Sequence, residues 1–165
     1  MNRTFGFAAL ALDRLSTVTP TNFSCSLQRV TGALGERSER QAAYEEAYDG
    51  LFATLDWLEE RLSRQRYLVG NQITEADWRL FPTLVRFDVA YFSIFKCNRQ
   101  RIADYPNLSN YMRELYQVPG VAETVTPRYY VINYYSIARL NPTGVTPKGT
   151  PIDLQQPHDR SRLAA

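Results

Sequence analysis

Two cysteines, Cys25 and Cys97, and a single histidine, His158, offer this chain its widest range of chemistry, and their surroundings narrow that range at once. Cys25 stands in Phe23-Ser24-Cys25-Ser26 and Cys97 in Phe95-Lys96-Cys97-Asn98, so the two form neither a Cys-x-x-Cys pair nor a metal-ligand spacing. They are too few for a disulfide framework and fit a reducing compartment. His158 lies among Gln155, Gln156, Pro157 and Asp159 in a polar tail, which leaves no Ser-His-Asp or Cys-His arrangement in the apolar part of the chain. No catalytic residue and no metal site are expected. Asp88 and Asp104 show no pairing suited to general acid and base work. Arg79 and Arg86, seven apart and so on one helical face, either meet an anionic ligand or pair with acids such as Glu75, Asp77 or Asp88. The doublets Tyr129-Tyr130 and Tyr134-Tyr135 either stack a flat ligand or pack a core, and Cys97 reads as a small buried hydrophobe.

Charge and length exclude further classes. Nineteen basic and 17 acidic residues leave a net charge of +2, with Lys and Arg scattered among acids, which argues against nucleic acid as a partner. No apolar run reaches the roughly 18 residues that a membrane span requires. The nearest, residues 5–12, is closed by Asp13 and Arg14. Residues 1–35 carry Arg3, Arg14, Arg29 and a single acid, Asp13, a composition compatible with organellar import; otherwise a cytoplasmic location is expected. The 165 residues suit one domain with one core.

The elements that must hold these side chains are helices. In residues 41–65, Ala47, Leu51, Leu55, Leu58 and Leu62 recur at helical steps, with Asp49, Asp56, Glu59, Glu60 and Arg61 between them. Arg66-Tyr67-Leu68-Val69-Gly70-Asn71 breaks that period, and Gly70 and Asn71 can take left-handed conformations. Thr74-Glu75-Ala76-Asp77 then opens a second helix. Thr74 is placed to accept from the amide three residues on, Asp77 to reach back to the cap's own amide, and Ile73 and Trp78 occupy hydrophobic-staple positions. This helix, residues 75–95, is apolar nearly all round and therefore central. Pro82 inside it deletes one backbone bond and should bend the axis near Leu80 and Phe81.

A third run carries Leu108, Tyr111, Met112 and Leu115 and ends at Val118-Pro119-Gly120; a short segment, residues 121–125, stops before Pro127. Beyond Tyr135, four prolines and two glycines leave no period, which predicts an extended tail laid over the surface. No strand pattern is convincing. The class is all-α, organised as a divergent segment 1–40, a helical domain 41–135 and a tail 136–165.

Several motifs in register resemble one family. Ala43-Tyr44-Glu45-Glu46-Ala47, Arg66-Tyr67-Leu68, Thr74-Glu75-Ala76-Asp77, Leu84-Val85-Arg86-Phe87-Asp88, Phe95-Lys96-Cys97-Asn98, Asp104-Tyr105-Pro106-Asn107-Leu108, Pro119-Gly120-Val121-Ala122-Glu123-Thr124-Val125 and Asn141-Pro142-Thr143-Gly144 are similar to the C-terminal domain of the glutathionyl-hydroquinone reductases, the Xi class of glutathione transferases. The resemblance implies a helical bundle that binds the substrate and can dimerise. It also implies a thioredoxin-like domain elsewhere, which carries the glutathione site and a catalytic cysteine in a Cys-Pro-Trp-Ala-type motif. In the family reaction that thiolate attacks a glutathionyl-quinol thioether, releases the hydroquinone, and leaves a mixed disulfide that a second glutathione resolves. Residues 1–40 are too few for that domain, and Cys25 has no proline after it.

Tyr134 stands where the family's tyrosine hydrogen-bonds the quinol oxygen, and it is the substrate-binding candidate. A second family tyrosine has no counterpart in residues 30–35, and Ile94, Tyr129 and Asn133 occupy positions where histidine is usual. The expected partner is a quinol-type small molecule, with glutathione as co-substrate and no other cofactor. Three functions follow: the substrate-binding and dimerising half of such a reductase, inactive alone; a non-catalytic helical interaction module; or a truncated gene product.

Overall fold

The computed structural model describes residues 37–149 and 153–163, with side chains from Gln41 onward. Among them the architecture is helical: α1 (Arg37–Arg64), α2 (Glu75–Arg86), a π-helical segment (Phe87–Tyr91), α3 (Phe92–Ile94), α4 (Pro106–Tyr116) and α5 (Pro127–Tyr135), with 3₁₀ turns at Ile102–Asp104, Ala122–Thr124 and Arg160–Leu163. Expectations placed on residues 1–36, including those for Cys25 and for a leader, lie outside the described residues.

The chain divides after Trp57 into two compact units. In the first, Tyr44, Tyr48 and Phe52 follow one another at steps of four along α1, with ring centroids 5.6 and 4.7 Å apart. Ala47, Leu51, Phe52 and Leu55 are buried, as their spacing requires, and each fully buried leucine contributes about 1.5–3 kcal/mol.

In the second unit, Leu58 and Leu62 continue that buried stripe. Glu59, on the charged side of α1, turns its carboxylate to the amides of Asn107 and Leu108 at the start of α4, 2.8 Å from each. Pro106 opens α4 and has no amide to satisfy, so a carboxylate from another helix caps the next two donors. The loop after α1 is pinned by Arg61, whose Nε and Nη2 donate to the Leu68 carbonyl at 3.0 and 2.8 Å. Gly70 turns it with φ at +82°, a conformation that costs glycine little.

Thr74 caps α2, and Asp77 does more than close the box. Its Oδ2 accepts from the Thr74 amide at 2.7 Å and from the Thr74 hydroxyl at 2.8 Å, while its Oδ1 accepts from the Leu68 amide at 2.9 Å and the Tyr111 hydroxyl at 2.8 Å. The carboxylate is fully buried, so one side chain ties the loop, the start of α2 and α4 together. Trp78 packs edge-on against Phe81 and stays partly exposed. Pro82 sits inside α2, and the winding changes one turn later, in the π-helical segment.

Residues 127–135, given no separate element in the sequence reading, form α5, with Pro127 at its first turn. The helix shows no polar period because Tyr129, Tyr130, Val131, Ile132, Tyr134 and Tyr135 surround it. It packs on the π-helical segment and on α2.

The described tail is held down by a buried cation. Arg160 is fully buried; it donates to the carbonyls of Leu62, Gln65 and Arg66, lies 3.8 Å from Glu114 and covers the Tyr111 ring. Gln117 secures the preceding strip through the carbonyls of Leu154 and Gln156.

Candidate functional site

The candidate substrate tyrosine sits on α5 and faces the π-helical turn. Tyr134 Oη lies 3.0 Å from Tyr91 Oη, and the two rings meet edge to face with centroids 5.3 Å apart. Phe95 completes the wall: it stacks on Tyr91 at 5.4 Å and receives Tyr134 edge-on at 5.7 Å. Phe87, one turn before Tyr91, supports it from beneath at 6.2 Å. Tyr91 and Phe95 are buried, whereas Tyr134 is half-buried at the rim. The outcome is a ring cluster whose polar edge is a pair of hydroxyls.

The π-helical winding decides which side chains share this face. An extra residue in the turn shifts Tyr91 and Phe95 around the axis relative to a regular helix, and such segments recur at functional sites. Burial raises the Tyr91 pKa above the ordinary phenol range, the hydrogen bond to Tyr134 adds to the rise, and Arg86 opposes it. Arg86 itself lies over the Tyr130 ring, 5.0 Å from its centroid.

The two arginines of the central helix therefore part company. Arg79 pairs with Glu75 at 2.6 Å on the exposed surface, one of the two arrangements its spacing allows. Arg86 turns to the Tyr130 ring. Asp88 anchors the next loop by accepting from the amides of Ile102 and Ala103 at 2.6 and 2.9 Å, and burial pushes its carboxyl pKa up. Asp104 is held below the usual carboxylate range by its pairing with Arg101. Neither carboxylate reaches the ring cluster through these contacts.

Cys97 is fully buried with its thiol pushed up to about 12, which makes it inert at neutral pH. Thr74 and Asp77 act at the start of α2. Tyr135, beside the candidate, turns into the core. A second buried cluster forms where Arg66 and Tyr67 both donate to Glu114 Oε1, at 2.7 and 2.8 Å. Burial, and then that bond to Glu114, raises the Tyr67 pKa to about 12. No helix of the described residues is long and apolar enough to cross a membrane.

The sequence reading missed Tyr91 as part of this site. Tyr91 and Phe95 fall one helical turn apart, a visible signal, but Tyr134 comes from 43 residues further along and no local pattern links them.

Comparison with known proteins gives this arrangement a family. Residues 41–114 match the family model "Glutathione S-transferase, C-terminal domain". The glutathionyl-hydroquinone reductase PcpF of Sphingobium chlorophenolicum is 56% identical over 110 residues, which cover 66% of this chain and 35% of the relative. The glutathionyl-hydroquinone reductase YqjG of Escherichia coli is 49% identical over 121 residues, covering 73% and 37%. Residues 41–114 carry the C-terminal domain of the glutathione S-transferase family, and the chain is similar to glutathionyl-hydroquinone reductases. The glutathione-bound structure of YqjG superposes with a TM-score of 0.81 at 41% identity, over 90% of this chain and 47% of that one. A Xi class glutathione transferase from Natrialba magadii gives 0.80 at 36% identity, over 94% and 46%. The chain thus spans little more than a third of these curated relatives' length, and the family-model match includes Tyr91 and Phe95.

Proposed function

We propose that this chain is the acceptor-binding, dimerising part of a glutathione-dependent reductase or transferase that acts on glutathionyl-hydroquinones, and that it does not turn over by itself. One observation carries the reading: a half-buried tyrosine hydroxyl, Tyr134, held at the rim of a ring cluster and hydrogen-bonded from behind by Tyr91. Rings give a flat face for an aromatic ligand, and the hydroxyl gives one polar contact that orients it. The relatives named as glutathionyl-hydroquinone reductases support the choice of ligand.

On this reading the thiol chemistry is supplied from outside the residues described here. Cys97 lacks both the exposure and the thiolate character of a nucleophile. Bound glutathione would supply the sulfur to which the quinol is joined; the residues described here would seat and orient the quinol ring. Titration of the full chain with hydroquinone, followed by tyrosine fluorescence, tests this. Tyr134→Phe should weaken binding about three- to tenfold, the worth of one hydrogen bond. Equal affinity in the two proteins would remove Tyr134 from the site.

A second reading, a non-catalytic interaction module, is favoured by the exposure of Tyr129, Ile132, Ile137 and Val145, which are 63%, 50%, 41% and 68% accessible. These large apolar side chains lie on α5 and just beyond it, and dimerisation through them is a form of the same idea. Sedimentation of the Ile132→Glu variant against the unaltered chain separates self-association from a bare surface.

A further inference from the structure

The hydrogen-bond directions around Tyr134 can be worked out from its neighbours. A phenol has one hydrogen to give, and a guanidinium gives up to five and accepts none. Arg86, whose guanidinium lies over the Tyr130 ring, offers no acceptor to which a Tyr91 hydrogen could be sent. Tyr91 is buried, and among the described residues its hydroxyl has one oxygen partner, that of Tyr134. A buried hydroxyl hydrogen without an acceptor is disfavoured, so the Tyr91 hydrogen points to Tyr134. Tyr134 then accepts from behind, and its own hydrogen is left for the outside, where its half-buried side chain borders solvent. Asp88, the carboxylate on the same turn, is held by the Ile102 and Ala103 amides and does not enter this chain of bonds.

We propose that Tyr91 is a positioning residue that fixes Tyr134 as a hydrogen-bond donor, so that this wall takes its ligand through an accepting oxygen, a phenolate or a quinone carbonyl, in preference to a neutral phenol. The inference rests on the reading of Tyr134 as the ligand-facing tyrosine. It adds a polarity to that contact and a role for a residue that need not touch the ligand.

The test uses 4-nitrophenol, whose neutral and ionised forms absorb at different wavelengths, bound to the full 165-residue chain. Absorbance against pH then gives the pKa of the bound probe. It should fall by about one unit from the free value, a tenfold preference for the phenolate. Tyr91→Phe removes the hydrogen bond to Tyr134 without changing any charge, and should abolish at least half of the fall. 4-Nitroanisole, which has neither hydroxyl hydrogen nor charge to offer, should bind both proteins alike and so reports that each is folded. A bound-probe pKa that rises in the unaltered chain overturns the proposal without any variant. A fall left unchanged by Tyr91→Phe also overturns it, because charge alone would then explain the preference. If neither form of the probe nor 4-nitroanisole binds, the acceptor-binding reading itself fails, and the positioning role with it.

Discussion

Replacing Asp77 with alanine probes the largest single polar commitment in the fold. The carboxylate takes four donors, and two of these, the Leu68 amide and the Tyr111 hydroxyl, belong to residues that are buried. Each buried donor left without an acceptor costs about 1–3 kcal/mol. The two Thr74 donors are half-buried and regain water, so they add the ordinary loss of a helix cap, about 1 kcal/mol. Asp77→Ala should therefore destabilise the chain by about 3–7 kcal/mol. For a chain of 165 residues this corresponds to a fall in Tm of about 9–20 °C. Urea unfolding followed by circular dichroism at the helix band gives the measurement. Tyr111→Phe removes one of the same donors, so the double variant should lose less than the sum of the two, by about 1–2 kcal/mol. A loss near 1 kcal/mol for Asp77→Ala, or strict additivity with Tyr111→Phe, would reduce Asp77 to a surface cap and refute the network.

Other outcomes follow from the same structure. Arg160→Ala should cost about 3–5 kcal/mol, because three carbonyls and Glu114 lose a buried cation, and Arg160→Lys should not restore it, since an ammonium lacks the fork that reaches separate carbonyls; urea midpoints check both. Stability should fall as pH rises from 10 toward 12. Tyr67 ionises near 10 when unfolded and near 12 when folded, so its contribution is complete below 10 and lost above, and Tyr67→Phe should flatten that limb in urea midpoints measured from pH 9 to 12. In a Cys25→Ser background, Cys97 should resist an aromatic disulfide reagent until urea unfolds the chain, and rapid labelling of the folded protein would contradict its burial.

The order and start of the helices were legible in the sequence because they depend on neighbours. Leu51, Leu55, Leu58 and Leu62 announce one buried stripe, and Thr74 with Asp77 announces a cap, since helical spacing and capping act within a few residues. The burial of Cys97 and the pairing of Arg79 with Glu75 are of the same local kind. α5 was less visible, because aromatic residues on every side erase the period by which a helix is read.

What the tertiary structure alone decided is which distant groups meet. Asp77 proved to serve Tyr111, 34 residues away, as well as its own cap, and Arg160 closed on carbonyls 94 to 98 residues back instead of lying on the surface. Tyr134 stood out in the sequence through family resemblance, yet its partner Tyr91 came from the packing of α5 on a π-helical turn. Local pattern records the forces between residues a few positions apart. The direction of a hydrogen bond in the site depends on which buried oxygen has nowhere else to send its hydrogen, and only the folded chain determines that.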